Sequence, residues 1–269
     1  MAHAQPTLIG LPSDAGSSFR RGASAAPHYI RQALASPASN RWSEALVDLE
    51  ASTTLLDVGD LDLPPTPAAR ELIEAGISHV LDRGGRALSL GGDHSVTYPI
   101  LRALGPRHEG VTLLQLDAHP DLYAEYEGDR FSHACPFARI MEDRLVARLV
   151  QIGIRTMTGH QRAQADRFGV EVIDMRAWEA GVRPTVEGPL YVSIDMDVFD
   201  PAFAPGVSHR EPGGLSARDV LGVLQRLPGP IVGADIVEFN PGEDAMGLTA
   251  PLCAKLVKEL AGRMLETSS

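Results

Sequence analysis

Three short motifs bring aspartate and histidine together at spacings that suit metal binding. They are GGDHS at 91–95, DAHPD at 117–121 and DMD at 195–197. Side chains two residues apart on an extended chain point to the same side. The polar side chains of the second motif can therefore converge if the chain stays extended, and so can the two carboxylates of the third.

A crevice shared by the three motifs would hold four carboxylates and two imidazoles. Negative charges gathered this closely repel one another strongly unless they are protonated or neutralised. Two divalent cations would balance them, and carboxylate with some imidazole and no thiolate suits Mn²⁺. Iron, cobalt, nickel and zinc are also possible by ligand type. The candidate metal ligands are His94, Asp117, His119, Asp121, Asp195 and Asp197.

The elements that must position these motifs are short strands. Apolar, β-branched runs precede the motifs and recur along the chain, and several are followed by apolar residues at helical spacing. Such strands, alternating with helices, indicate a parallel sheet covered on both faces. The predicted fold is a three-layer α/β/α sandwich with a mostly parallel sheet of about eight strands. The predicted strands lie at 7–12, 54–60, 87–93, 111–117, 149–155, 170–175, 190–197 and 231–239, and the predicted helices at 27–34, 67–81, 215–227 and 249–265.

The motifs follow predicted strands, and ligands of open parallel sheets bind outside the carboxyl ends of the strands. An isolated aspartate at a strand end more often caps a helix or makes a turn, so no single motif is decisive. Three motifs at one edge of the same sheet reinforce one another. We interpret Asp93 and Asp200 as structural carboxylates that form turns or orient ligand histidines.

Composition limits the class of protein. The 269 residues fit one large α/β domain, 1–269. The 35 acidic and 24 basic residues give a charge of −11, which argues against binding to nucleic acid or to anionic lipid. No apolar run approaches the ~18 residues of a membrane helix. We see no secretory signal, and Cys135 and Cys253 form no CxxC pair, so we expect a cytoplasmic protein.

In this order, GGDHS, DAHPD and SIDMDVFDP (193–201) resemble the three signatures of the ureohydrolases, the arginase and agmatinase family. The stretches at 10–31, 151–155, 200–216 and 235–241 are similar to other parts of the family's sequences. The resemblance therefore covers most of the chain. It implies an arginase-like fold with an eight-stranded sheet, assembled as a homotrimer or homohexamer.

The resemblance also implies a reaction. The six candidate ligands would hold two Mn²⁺ ions that share a bridging hydroxide, which attacks the central carbon of a guanidinium group and releases urea and an amine. Glu238 matches the carboxylate that pairs with the guanidinium nitrogens. His133 matches the histidine implicated in proton transfer to the leaving amine. These two residues are predicted to bind substrate and to act in catalysis, and Asp121 is predicted to be catalytic as well as a ligand.

The implied substrate is a small cationic guanidino or amidine compound, and agmatine is the first choice. The loop at 122–132 lacks the Asn- and Ser-bearing pattern of arginases, and 156–158 has Thr where arginases carry Asp. The chain therefore looks closer to agmatinase-like members than to arginases. His209 stands where relatives usually have Thr, and we predict that it lies near the substrate. Beside it, Arg210 could receive an anionic tail and Glu211 could receive the ammonium of agmatine.

Several alternatives stay open. Formimidoylglutamase, guanidinobutyrase or another guanidino-acid hydrolase would use the same site, and an arginase is a less favoured choice. A two-metal phosphoesterase could also carry DxH motifs at strand ends. The chain lacks the Gly-rich loop with Lys that cradles phosphate, which argues against that class. A family member without enzymatic activity would have lost ligands, and all six ligand positions are filled here.

Overall fold

Eight parallel strands form one sheet in the computed structural model, which describes residues 5–50 and 54–266. The strands are β1 (Pro6–Gly10), β2 (Leu56–Asp60), β3 (Arg86–Leu90), β4 (Thr112–Leu116), β5 (Arg148–Ile154), β6 (Glu171–Asp174), β7 (Leu190–Asp195) and β8 (Ile231–Val237). Their order across the sheet is β2-β1-β3-β8-β7-β4-β5-β6. Every neighbouring pair is parallel. The predicted parallel sheet of eight strands is confirmed.

Helices connect these strands. In the described part of the chain they are α1 (Ala26–Leu34), α2 (Ala68–Asp82), α3 (Thr97–Leu104), α4 (Pro136–Glu142), α5 (Gly159–Phe168), α6 (Met175–Glu179), α7 (Ala217–Gln225) and α8 (Thr249–Glu266). Short 3-10 helices lie at Ala23–Ala25, His94–Val96, Gly105–Arg107, Met196–Val198 and Pro241–Glu243. The predictions for α1, α2, α7 and α8 agree with the structure to within two residues at each end.

Apolar periodicity did not reveal α3 to α6. Helix α5 shows why, because most of its residues are polar and its buried face is narrow. A different local signal defines it. The Thr158 hydroxyl accepts a hydrogen bond from the backbone amide of Gln161, and the side-chain oxygen of Gln161 accepts one from the backbone amide of Thr158. This capping box satisfies amides at the start of the helix. The helix ends at Gly169, whose φ of 65° suits glycine.

Helices cover both faces of the sheet. The adjacent residues Leu113 and Leu114 of β4 belong to separate buried clusters, as expected because successive side chains of a strand point to opposite faces. One cluster contains residues of α1, α7 and α8, and the other contains residues of α2, α3 and α4. The predicted three-layer α/β/α architecture is therefore confirmed.

The four central strands position the candidate site. They are β3, β8, β7 and β4, in that order across the sheet. Each motif singled out in the sequence begins at or just after the carboxyl end of one of these strands. Because the strands are parallel and adjacent, these ends meet at one edge, where open α/β sheets bind their ligands.

Other predictions concern the chain as a whole. The single-domain interpretation of residues 1–269 stays a prediction, and residues 1–4, 51–53 and 267–269 lie outside the described part. Both cysteines are free and buried. Within the ranges that the structure describes, no helix is long and apolar enough to cross a membrane.

Candidate active site

Three carboxylates surround one nitrogen of a buried histidine. The Nδ1 atom of His94 lies 3.2 Å from Asp117 Oδ2, 3.1 Å from Asp121 Oδ2 and 3.1 Å from Asp195 Oδ2. This nitrogen is buried and has no hydrogen-bond partner of acceptable geometry. Burying several like charges is unfavourable unless a cation compensates them. The four side chains can hold one metal ion.

A second group of ligands adjoins the first. The Nδ1 atom of His119 lies 2.9 Å from Asp197 Oδ2 and 3.6 Å from Asp117 Oδ1. These three residues can hold another metal ion. Asp117 belongs to both groups and directs a different oxygen to each histidine. The structure thus brings all six predicted ligands together as two adjacent sites that share a carboxylate.

Backbone amides fix the direction of these carboxylates. Asp195 Oδ1 accepts a hydrogen bond from the Asp197 amide at 2.8 Å, and Asp197 Oδ1 accepts one from the Ala118 amide at 3.0 Å. The other oxygen of each carboxylate faces a histidine. The Asp117 side chain accepts from the His119 amide at 2.6 Å. The short turns after β4 and β7 therefore fix the direction in which these carboxylates point.

Two site residues have backbone conformations that favour glycine. Asp121 has a φ of 49° and Glu238 has a φ of 62°. Such conformations cost a residue with a side chain roughly 1–3 kcal/mol and tend to occur at functional sites. We expected Asp121 to converge with the other ligands if the chain stayed extended. Asp121 does lie beside His94, but the chain is not extended at this residue. The chain turns sharply after β4, and this turn brings the carboxylate to His94.

The charges of the site alter the pKa values of its members. Burial, with the neighbouring Asp197 and Asp117 charges, raises the pKa of Asp195 well above its ordinary value. Burial and the Asp117 charge raise the pKa of Asp121 to about 6. Burial opposes protonation of His94, but the surrounding carboxylates outweigh it and raise its pKa well above the usual value. The site therefore strongly favours positive charge at its centre.

Glu238 and His133 form a pair next to the metal cluster. His133 Nδ1 lies 2.9 Å from Glu238 Oε1, which also accepts a hydrogen bond from the His94 amide at 2.9 Å. The Nε2 atom of His133 lies 2.9 Å from the Ser18 hydroxyl. Burial opposes protonation of His133, but the Glu238 carboxylate outweighs it and raises the pKa of His133 to about 9. At neutral pH this histidine carries a proton that it can donate.

A cavity of about 280 Å³ opens above the cluster and this pair. His209 lies in its wall, with its ring centroid 5.3 Å from that of His133 and 5.9 Å from that of His119. His209 therefore lies beside the candidate site, and its predicted position near the substrate stays a prediction. Burial and the two neighbouring imidazoles lower the pKa of His209. Further wall residues, to which the sequence assigned no role, are Ser18, Tyr123, Tyr126, Ala134, Thr156, Thr158 and Gln161.

The two charged neighbours of His209 differ in placement. The Arg210 guanidinium donates hydrogen bonds to the Pro205 carbonyl and to the Glu243 carboxylate, and it does not line the cavity. The suggestion that Arg210 receives an anionic substrate tail therefore gains no support. A carboxylate oxygen of Glu211 lies 3.9 Å from His119 Nε2, and the side chain is 38% exposed. Glu211 thus lies beside the ligand cluster but, like Arg210, is not among the residues that line the cavity.

Comparison with known proteins identifies the family. The model of the Arginase family matches residues 4–262. The chain belongs to the arginase family. Mitochondrial arginase 1 of Arabidopsis thaliana is 44% identical, over 98% of this chain and 82% of its own length. Guanidinopropionase of Pseudomonas aeruginosa is 38% identical, over 98% and 88%. The structure of the Medicago truncatula arginase superposes with a TM-score of 0.92 at 42% identity, covering 97% of this chain and 87% of that one.

Membership of the arginase family has consequences for the reaction and for the alternatives. This arginase-family protein is a hydrolase that acts on guanidino C–N bonds, and the family depends on a binuclear metal centre. The phosphoesterase and non-enzymatic alternatives are therefore not supported. The comparisons also do not support the prediction that the chain is closer to agmatinases than to arginases, since a plant arginase is 44% identical to the chain. Proteins of this family act on small guanidino substrates and are generally oligomeric.

Proposed function

We propose that this arginase-family protein hydrolyses the guanidinium group of L-arginine, releasing urea and L-ornithine, at a centre of two Mn²⁺ ions. One observation carries the proposal: metal-ligand carboxylates and the Glu238–His133 pair line the same cavity of about 280 Å³. The cavity thus combines groups that hold cations, a carboxylate for a guanidinium and a proton donor. Ureohydrolysis needs all three.

The chemistry of the ligands supports the choice of ion. His94, Asp121 and Asp195 would complete one site with Asp117, and His119 and Asp197 would complete the other. Carboxylate oxygens with imidazole and without thiolate suit Mn²⁺. When bound, the two cations supply the charge that lowers the pKa of a water molecule and makes a nucleophile available at neutral pH.

Glu238 and His133 divide the remaining tasks. The Glu238 carboxylate pairs with the planar guanidinium through charge-assisted hydrogen bonds and so orients its central carbon. The His133 imidazolium gives its proton to the nitrogen of the departing amine, which would otherwise leave as a strongly basic anion. The Ser18 hydroxyl, 2.9 Å from His133 Nε2, keeps the imidazole in place.

The outer wall of the cavity supports L-arginine as the substrate. Among the described residues that line the cavity, none is Lys or Arg, and the lining includes the uncharged polar residues Tyr123, Tyr126, Thr156, Thr158 and Gln161. Neutral donors and acceptors suit a zwitterionic head group, which has no net charge and several hydrogen-bonding atoms. The 44% identity to a protein named arginase also favours L-arginine as the substrate.

Agmatine is the second candidate, and one observation favours it. Glu211 places a partly exposed carboxylate 3.9 Å from His119 Nε2, next to the ligand cluster. An ammonium group at the end of a decarboxylated chain would find its counter-charge there. Because this carboxylate is solvated, its contribution to binding is small, about 0–1 kcal/mol. We therefore place agmatine after L-arginine.

A substrate panel tests the proposal. Protein loaded with Mn²⁺ is assayed for urea release from L-arginine, agmatine, guanidinobutyrate and guanidinopropionate, and for formamide release from formiminoglutamate, with bound metal counted on the same sample. We expect the highest kcat/KM for L-arginine. A higher kcat/KM for another amidine would identify that compound as the substrate in place of L-arginine. If none of the amidines gave product while two ions were bound, the proposed function would be refuted. Glu238→Gln is the matched control, because it keeps all six metal ligands and removes the carboxylate proposed to pair with the guanidinium. A lower kcat/KM in this variant would show that urea release depends on the candidate site.

Assembly and location complete the proposal. We expect a homotrimer or homohexamer, in keeping with a family whose members are generally oligomeric. Light scattering of the purified protein gives its mass and decides between the two. A cytoplasmic location stays a proposal, because the similar Arabidopsis thaliana protein is named as mitochondrial. Fractionation of cells followed by immunodetection tests it.

A further inference from the structure

The His94 imidazole has a second contact on the side opposite the carboxylates. Its Nε2 atom lies 2.9 Å from Ser193 Oγ, and that oxygen lies 2.6 Å from Asp235 Oδ1. The three side chains are completely buried. Ser193 on β7 and Asp235 on β8 are direct partners in the register of neighbouring strands. The sheet itself therefore holds this chain of contacts in place.

Asp235 is surrounded by hydroxyl groups. Its Oδ2 accepts hydrogen bonds from the Tyr191 hydroxyl at 2.7 Å and from the Thr97 hydroxyl at 3.0 Å. Its Oδ1 accepts one from the Ser193 hydroxyl. A carboxylate can only accept hydrogen bonds, and each hydroxyl has a single proton to give. The proton of Ser193 is thus committed to Asp235. Its oxygen is left as an acceptor for whatever faces it.

The direction of the Ser193 hydrogen bond determines which ring nitrogen of His94 carries hydrogen. Because Ser193 Oγ accepts, the Nε2 atom that faces it must carry hydrogen. The other ring nitrogen, Nδ1, is the one that three carboxylates surround at 3.1–3.2 Å. A metal-binding histidine commonly donates its second N–H to a fixed acceptor, and this fixes its tautomer and its orientation.

We propose that Ser193 and Asp235 are positioning residues of the metal centre, which hold the proton of His94 on Nε2 and aim the Nδ1 lone pair at the cation. Thr97 strengthens the arrangement, because it links the same carboxylate to the turn that carries His94. The inference rests on the proposed metal centre and does not depend on which amidine is the substrate.

Binding of Mn²⁺ to full-length variants tests the inference without any assay of activity. Free Mn²⁺ is counted by its electron paramagnetic resonance signal during titration of wild type, Ser193→Ala and Tyr191→Phe. Loss of a partner behind a metal ligand commonly lowers metal affinity about 10- to 100-fold. We expect that loss in Ser193→Ala for one of the two ions. Tyr191→Phe is the matched control, since it removes a hydroxyl from Asp235 but leaves Ser193 between Asp235 and His94.

A double-variant comparison separates positioning from general damage. Asp235 contacts the His94 ring through Ser193, so adding Asp235→Asn to Ser193→Ala should weaken Mn²⁺ binding by less than Asp235→Asn does alone. Equal losses in Ser193→Ala and Tyr191→Phe, or an additive double variant, would overturn the inference. Binding of two ions by Ser193→Ala with the affinity of wild type would do so as well.

A measurement on the wild type covers the case in which a variant does not fold. In protein loaded with Zn²⁺ and labelled with ¹⁵N in its histidine rings, we expect a His94 Nε2–H signal that exchanges slowly with solvent. A His94 ring with no hydrogen on Nε2 would refute the inference. Two bound ions without urea release from any amidine would contradict the proposed function alone, and failure of wild type to bind Mn²⁺ would contradict both.

Discussion

The Nδ1 atom of His133 lies 2.9 Å from Oε1 of Glu238, and both side chains are buried beside the metal-ligand cluster. Each group changes the acidity of the other. The carboxylate raises the pKa of His133 to about 9 against the effect of burial, while the imidazolium lowers the pKa of Glu238, again against burial. The pair therefore holds a proton donor and an anion close together at neutral pH.

The first prediction concerns the pH profile of Glu238→Gln. The folded-state pKa of His133 is raised, so its proton is present at low pH and lost as the pH rises through that value. Removing the carboxylate lowers this pKa, and the alkaline limb of kcat/KM should move to lower pH. Loss of a charge-assisted hydrogen bond to the guanidinium, about 1.5–3 kcal/mol, should also lower kcat/KM by roughly 10- to 100-fold. An alkaline limb at the same pH in both proteins would show that His133 does not control it.

His133→Asn tests the proton donor directly. General acid catalysis commonly contributes about 10²- to 10⁴-fold, so kcat should fall by a factor in that range. The side chain coordinates neither proposed ion, and the number of bound Mn²⁺ ions should stay at two. The measurements are steady-state kinetics and metal analysis on one preparation. A loss of activity explained by lost metal would contradict this role.

Asp195→Asn should have opposite effects on the metal-free and metal-loaded proteins. Burial and neighbouring charges raise the pKa of Asp195 well above its ordinary value, so its charged form destabilises the metal-free fold. The amide keeps the size of the side chain and the acceptor for the Asp197 amide. With a chelator present, Tm should rise by about 2–4 °C for each ~1 kcal/mol of repulsion removed. With Mn²⁺ present, Tm should fall below that of wild type, because a ligand is lost. A lower Tm under both conditions would contradict the electrostatic explanation.

How much of the site the sequence could predict depends on where its residues lie in their elements. His94, Asp117 and Asp195 occur where apolar runs end, and parallel strands bring such ends together, so their convergence was predictable. Ser193 and Asp235 lie inside strands and were hidden within apolar runs. A signal was nevertheless present, because a polar residue inside a buried strand must find a hydrogen-bond partner. The left-handed turn at Asp121 has no comparable signal, since aspartate occurs in many other turns.

Leu46→Gly should stabilise the protein far from the site. Leu46 has a φ of 62° and its side chain is 79% exposed, so it suffers backbone strain and gains little from burial. The left-handed conformation costs a residue with a Cβ about 1–2 kcal/mol, and the greater freedom of unfolded glycine offsets ~0.5–1 kcal/mol of the gain. Urea denaturation should show a net increase of up to about 1.5 kcal/mol in the free energy of unfolding. Leu46→Ala keeps the strain and is the control, so an equal gain in that variant would point to loss of the exposed leucine instead.

Glu211→Gln should change the choice between the two candidate substrates. A partly exposed carboxylate contributes about 0–1 kcal/mol to an ion pair, so its loss should raise KM for agmatine by up to about fivefold. L-arginine carries its own carboxylate next to its ammonium and depends less on this charge, so the ratio of kcat/KM for L-arginine to that for agmatine should rise. Glu243→Gln is the matched control, because Arg20 and Arg210 already neutralise that carboxylate. The same ratio in Glu211→Gln as in wild type would exclude Glu211 from the recognition of either head group.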